Sequence, residues 1–495
     1  MVQPQPRAPR AATAGGVLAR PAVQVAILMA LAAVFYLARA AKEPLDGDPA
    51  MYATIARTIV RTGEWTHLTF NGDPYLNKPP LHFWLNALVF RGLGASTFTA
   101  TLVPGLLGVV DVVLLYVACR VMFPGRQTAF AAALVYVTTP EVVHWSRGVH
   151  LETLVTFWVL LGVLAAFWSV RQHPAATALV GVAAGGGWLA KGPQGLFPVA
   201  LALLLWLREG VARRRIRSWW ALAGVIIALA AAVPWLWARV SEGTGFAGAY
   251  FGGQIGNVLF GRRVLGRGPL WYLVKLGRTY WPWLPVAAAG LVILGRRWRS
   301  SLGARAWLLY TALVLVVITF AAGKKSRYLF QLYPALAVAA GTALAAAAER
   351  VPRLLTWLVG AAVAAALAVG IVGDHVSRAQ ALHSREALEV ARLLDGDDVV
   401  LITRETQWGE PQFGKILGFY ARPLLHACHA ACDEEAAPGR ALVARTDELD
   451  ALLGRLKSAG LIAADAASAA TAADAVVVAR TASLALVRVP RPAAR

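Results

Sequence analysis

Apolar residues in this chain gather into long runs that approach the ~20 residues a helix needs to cross a bilayer. Eleven such runs predict membrane spans, at 22–40, 97–120, 127–141, 150–170, 175–190, 194–208, 218–238, 281–295, 305–322, 328–348 and 354–373. Several are short, and tilt or a shift of a few residues accommodates them. Alternate connections carry arginine: Arg120 and Arg126, Arg171, the block Arg208–Arg217, the block Arg296–Arg305, and Arg350 with Arg353. That bias assigns these loops, and the arginines of the N-terminus, to the cytoplasm. The loops 41–96 and 239–280 then lie outside, together with the turns at Glu141–Val149, Lys191–Pro193 and Gly323–Arg327.

Both ends differ from this pattern. Residues 1–21 are rich in Pro, Ala and Arg and predict a disordered cytoplasmic segment. The run at 22–40 is too long for a signal-peptide core and has no clear cleavage site after it, so it reads as a retained first span. The spans define a membrane domain over 22–373. From about 374 to 495 acidic residues appear. Short β-like runs (Val399–Ile402, Ala441–Ala444, Ala475–Val478, Leu484–Val489) there alternate with helical ones (Gln412–Phe419, Asp447–Ala459). This predicts a small α/β domain, extracytoplasmic if the span number is odd. The fold class expected is an all-α polytopic membrane protein with outer-face juxtamembrane helices and a small C-terminal α/β domain.

Composition sharpens the class. The chain is 58% hydrophobic and only 15% charged, where soluble domains run near a quarter charged. Its net charge of +21 argues little for nucleic acid, since most Lys and Arg sit in short connections where topology and anionic headgroups account for them. The three cysteines, Cys119, Cys428 and Cys432, form no zinc pattern. A local Cys428–Cys432 disulfide and two free thiols stay equal alternatives.

Topology does not explain the basic residues on the outer side: Arg57, Arg61, Lys78, Lys191, Arg262, Arg263, Arg267, Lys275, Lys324, Lys325 and Arg327. An anionic partner near the outer membrane surface does, and a lipid-linked phosphate is the economical one. The stretch Leu45–Trp84 concentrates the chemistry. Asp48 precedes Pro49 at a helix start, where an aspartate is either a simple N-cap or a carboxylate kept ionised as a base. Arg57 and Arg61 share a face of that helix. Lys78 precedes Pro79 and Pro80, which fix the backbone at a span entry; it either snorkels to headgroups or holds a phosphate. His144, Arg147, His150 and Glu152 cluster at a span mouth, where ionisable groups are functional hypotheses. His150 and Glu152, two apart, do not share a helix face; one ligand from either to a divalent cation is an open alternative. Lys191 sits in the tight turn KGPQG, and Lys324 and Lys325 in GKKSRY.

Taken together, DPAMYA (Asp48–Ala53), NKPPLHFW (Asn77–Trp84), RGVHLETLVTF (Arg147–Phe157), LAKGP (Leu189–Pro193) and KKSRYLFQLYP (Lys324–Pro334) resemble the GT-C membrane glycosyltransferases. The resemblance is to their protein O-mannosyltransferase and aminoarabinose-lipid A transferase group, and covers approximately residues 22–375. It implies transfer of a sugar from a polyprenyl-phosphate donor to a lipid A, glycan or protein acceptor on the outer face of the cytoplasmic membrane. Asp48 would be the principal catalytic carboxylate and Glu152 a second acid on the same cavity. Lys78, Arg262 or Arg263, and Tyr328 would hold the donor phosphate. Tyr52, Arg57, Arg61, Arg147, His150, Lys191, Lys324 and Lys325 would support them. Two departures, Pro49 after the first Asp and His150 where many members have Arg, leave metal use and acceptor undetermined.

Two other classes compete. A transporter or flippase for polyprenyl-linked sugars would share the basic groove, but it predicts internal repeats around a midplane site, and no convincing repeat is present. A non-catalytic scaffold leaves Lys78, Glu152 and the outer basic set unexplained.

Overall fold

The computed structural model describes residues 20–38, 45–171, 173–243, 245–261, 267–372, 378–394, 399–403, 413–428, 440–459, 461 and 477–489. Each of the eleven apolar runs meets a helix: Pro21–Leu37, Thr97–Met122, Arg126–Val137, Glu152–Arg171, Ala176–Lys191, Phe197–Arg208, Trp219–Ser241, Trp283–Arg296, Leu302–Phe320, Tyr333–Ala348 and Leu354–Val372. Among the described residues, five helices are long and apolar enough to cross a membrane unaided, counting Ser326–Ala348 as one.

Proline sets where several of them break, because the residue before it resists helical geometry. The run at 127–141 is therefore two helices, Arg126–Val137 and a short Pro140–Arg147. Pro193–Leu196 and Ser326–Leu332 are tight 3-10 turns ahead of Phe197–Arg208 and Tyr333–Ala348. Both turns contribute lining residues to one cavity, Pro193 and Gln194 from the first and Tyr328 from the second.

Small residues let the helices approach. A methyl added at Gly181 would stand 2.1 Å from the Gly224 carbonyl oxygen, and one at Gly290 1.7 Å from that of Ala339. Backbones thus touch with no side chain between them, the usual way helices associate without a strong hydrophobic force. Trp219, Val225, Leu229 and Trp237 of Trp219–Ser241 stay exposed, an apolar face suited to lipid.

A second layer covers one end of the bundle. Helices Gly47–Thr62 and Leu81–Leu93 flank a hairpin of β1 (Thr69–Phe70) and β2 (Asp73–Pro74). Its turn, Asn71 and Gly72, has φ of 48° and 86°, the positive pair for which Asn-Gly is favoured. This layer has its own core, including Phe70 and Phe83, and Phe419 from the far end of the chain belongs to it.

The C-terminal region forms a five-stranded sheet of β3 (Val399–Ile402), β4 (Leu424–Ala427), β5 (Ala441–Arg445), β6 (Val477–Arg480) and β7 (Leu484–Arg488), in the order β4-β3-β5-β7-β6. β3 runs parallel to β4 and β5, while β7 runs antiparallel to β5 and β6. Helices Arg378–Leu393 and Phe413–Tyr420 pack with one apolar cluster of this sheet, and Leu449–Ser458 with another. Strand β4 and helix Arg378–Leu393 add to the elements the sequence pattern predicts. Cys428 is disulfide-bonded, Cys119 is buried and free, and Cys432 lies outside the described residues.

This region does not hang free as a tail. The Ala427 amide donates to the Asn71 carbonyl at the hairpin tip (2.9 Å), and Asn71 Nδ2 donates to the Gly414 carbonyl (2.9 Å). The Tyr420 hydroxyl accepts from the Leu45 amide (2.7 Å) and lies 2.9 Å from the Thr97 hydroxyl.

Candidate active site

Asp48 does not cap its helix. The helix opens at Gly47, with Asp46 in the extended capping position, and Asp48 is its second residue. Its carboxylate is divided between two cations: Oδ2 lies 3.2 Å from Arg327 Nη1 and Oδ1 3.3 Å from Lys415 Nζ. Burial pushes its pKa up, but Lys415 and Arg327 outweigh that and hold it below the usual aspartate value. The group is ionised at neutral pH. Close by, the buried Tyr52 hydrogen-bonds Tyr75 and sets its ring edge-on to Phe83.

Glu152 begins helix Glu152–Arg171 and Lys191 ends helix Ala176–Lys191. Each charge complements its helix dipole. The two meet at 2.6 Å, with side chains 3% and 7% exposed. A buried pair of this kind is tolerable only while both partners are present.

Lys78 Nζ donates to Gln254 Oε1 (3.2 Å), and Gln254 Nε2 donates to Asn77 Oδ1 (3.2 Å). Gln254 lies in a π-helical segment, Gly248–Gly256, a wide turn often found at functional sites. Burial, and then the like charges of Arg327, Lys191 and Lys325, pull the Lys78 ammonium down to about 7. A cation so close to losing its proton is poised to gain from an anion beside it.

Lys78 and Lys191 line the same cavity. Asn77, Gln254 and Tyr328 also line it, together with apolar residues that include Phe197, Leu259 and Ile318. Arg327 links this region to the two carboxylates, since the charges of both Asp48 and Glu152 act on it. The preceding residue, Ser326, lines a different, open cavity, walled by Trp145, Trp281, Arg278, Glu141 and His144. Three consecutive residues thus face one cavity, the Asp48 carboxylate and the other cavity in turn.

Other residues singled out by sequence have other partners. Arg57 donates to the carbonyls of Phe419 and Pro423, and Arg61 to that of Arg422, so both guanidiniums hold the C-terminal region instead of facing Asp48. Arg147 donates to the Phe35 carbonyl (2.7 Å). Lys324 Nζ caps helix Leu302–Phe320 through the carbonyls of Ile318, Thr319 and Ala321, because the last carbonyls of a helix lack partners of their own. Lys325 is exposed. The His150 ring packs on Trp145, centroids 4.6 Å apart. Arg262 and Arg263 lie outside the described residues. Among the described residues no three His, Cys, Asp or Glu gather as a metal site.

Lys415 and Gln254 are absent from the residues to which the sequence points. Lys415 has one local signal, a single cation inside the otherwise apolar helical run FGKILGFY. Gln254 has none.

The fold is mostly helical, with several long apolar helices. Residues 77–237 match the family model described as dolichyl-phosphate-mannose-protein mannosyltransferase. The chain is 27% identical over 331 residues to undecaprenyl phosphate-alpha-4-amino-4-deoxy-L-arabinose arabinosyl transferase 1 of Pseudomonas fluorescens. That match covers 64% of this chain and 59% of the relative. It is 28% identical to the corresponding transferase of Pseudomonas aeruginosa strain LESB58, over 60% of this chain and 55% of that one. The chain therefore spans less than two thirds of the length of these relatives. In structure it resembles ArnT of Cupriavidus metallidurans bound to undecaprenyl phosphate, with a TM-score of 0.67, 18% identity, and coverage of 94% of this chain and 98% of that one. The chain is thus similar to the mannosyltransferase family model over residues 77–237, to the aminoarabinose transferases in sequence, and to ArnT in fold.

Proposed function

We propose that this protein transfers a sugar from a polyprenyl-phosphate donor to an acceptor at the outer face of the cytoplasmic membrane. The observation that carries the reading is the cavity with apolar walls that ends on Lys78 and Lys191, beside the charge network of Asp48, Arg327 and Glu152. A prenyl chain fits the walls and a phosphate fits the cationic end, with the Tyr328 hydroxyl beside it. The curated relatives act on an undecaprenyl-phosphate-linked aminoarabinose, and ArnT of Cupriavidus metallidurans binds undecaprenyl phosphate. Arg262 or Arg263, implied by the family resemblance, would add a further phosphate contact.

In the reaction the bond between the anomeric carbon and the phosphate oxygen breaks, and the acceptor oxygen bonds to that carbon. The leaving polyprenyl phosphate takes the electron pair, and the fixed charges of Lys78 and Lys191 stabilise it without reorganisation. One displacement inverts the anomeric centre. Asp48 would either take the proton of an acceptor hydroxyl or orient an acceptor that is already anionic. Its doubly paired carboxylate is a weak base, which favours the second role. The acceptor would approach through the cavity of Trp145, Trp281 and Arg278, reaching the site past Ser326.

The same reading has eleven spans, a cytoplasmic N-terminus and an extracytoplasmic C-terminal region, in keeping with the disulfide at Cys428. The decisive experiment is a transfer assay on purified protein with defined polyprenyl-phosphate sugars and lipid A, glycan and peptide acceptors, read by product mass. A mass increase of one sugar supports the reading; no product with any donor overturns it.

A further inference from the structure

We propose that the C-terminal region supplies a positioning residue to the catalytic centre: Lys415, which holds one oxygen of the Asp48 carboxylate while Arg327 holds the other. The inference rests on the role given to Asp48 above. Lys415 is 367 residues away in sequence and lies beyond the matched residues 77–237.

Its surroundings argue that the ammonium is there for Asp48. Seven of the eight residues of helix Phe413–Tyr420 are buried, and Lys415, 5% exposed, lies among Phe413, Ile416 and Leu417. A cation in such a place is costly unless it is paired. Among the described residues its side-chain partner is Asp48 Oδ1, at 3.3 Å.

Docking of the helix does not depend on this pair. Arg57 and Arg61 hold the carbonyls of Phe419, Pro423 and Arg422. Asn71 holds Gly414, Tyr420 ties to Leu45 and Thr97, and Phe419 completes the outer core. An apolar side chain at 415 would leave all of these in place. What it would remove is a fixed charge 3.3 Å from the carboxylate.

Two cations on two different oxygens fix both the rotation and the ionisation of Asp48. With Lys415 gone, Arg327 alone would hold the group, free to turn about that single contact. The other titratable groups acting on or beside Asp48 are Lys325, His150, Tyr52 and Tyr75, and Glu152 acts through Arg327.

The test uses the full-length protein, in variants K415Q and K415R. K415Q is expected to lower kcat roughly 10- to 100-fold, the scale of a misplaced catalytic group, with donor KM changed less than about threefold. It should also move the acid limb of the kcat/KM pH profile upward by about one unit, because a charge that favours ionised Asp48 is lost. K415R, which keeps the charge, should restore most of kcat and the wild-type limb. K415Q with wild-type kcat and limb overturns the proposal, and so does equal loss in both variants with an unmoved limb. Should K415Q not fold, K415H replaces it: its ring is charged only below about pH 6.5, so activity should fall as pH rises through that range. A K415H profile parallel to wild type overturns the proposal. Full activity in D48N would instead remove the assignment of Asp48 on which this inference stands.

Discussion

The carboxylate of Asp48 and the ammonium of Lys415 lie 3.3 Å apart across 367 residues of sequence. The first loop of the chain and its last region are thereby parts of one site. A cation from the first loop itself would have been the simpler expectation, since Arg57 and Arg61 lie about two and a half and three and a half turns further along the same helix. Those two point to the partner region's backbone instead, and the partner region returns a charge.

Asp48→Asn is expected to lower transfer about 10²-fold, the scale of losing an orienting contact, while the protein elutes from size exclusion in detergent as the wild type does. Product formation at the wild-type rate would show that the carboxylate has no catalytic part.

Lys78, with a pKa pulled down to about 7, predicts a pH-dependent donor affinity. An anion beside it favours the charged form, so donor binding at pH 8 should take up a proton. Affinity should then fall as pH rises above about 7, toward the ~10.4 of an unperturbed lysine. Calorimetry in buffers of different ionisation enthalpy measures the proton directly. K78R, charged throughout, should bind with no such dependence; wild type and K78R behaving alike would refute the assignment.

The Glu152–Lys191 pair predicts a pattern in thermal stability. E152Q and K191M should each cost about 3–5 kcal/mol, since each leaves one buried charge alone. The double variant E152Q/K191M should recover most of that stability and none of the activity. Additive losses in the double variant would mean that the pair is not the unit the geometry suggests.

The second cavity, lined by Trp281 and Arg278, is proposed above as the acceptor's approach. W281A and R278A should each raise the acceptor KM about tenfold, the effect of losing a contact worth ~1.4 kcal/mol, with donor KM unchanged. A rise in donor KM alone would place the acceptor elsewhere.

The positions of the apolar helices are legible from composition and local pattern. Apolar run length and proline placement act over a few neighbouring residues, so the chain carries them openly. Lys78, Lys191 and Tyr328 are legible for the same reason, each standing in a short polar break between apolar runs. Which charge meets which is not. Arg57, Arg61 and Lys324 look as well placed as Arg327 and Lys415 when read in order, and their partners depend on distances between segments hundreds of residues apart. Packing of Phe413–Tyr420 onto Gly47–Thr62 settles that question, because an ion pair is decided by a few ångströms of separation that no local rule contains.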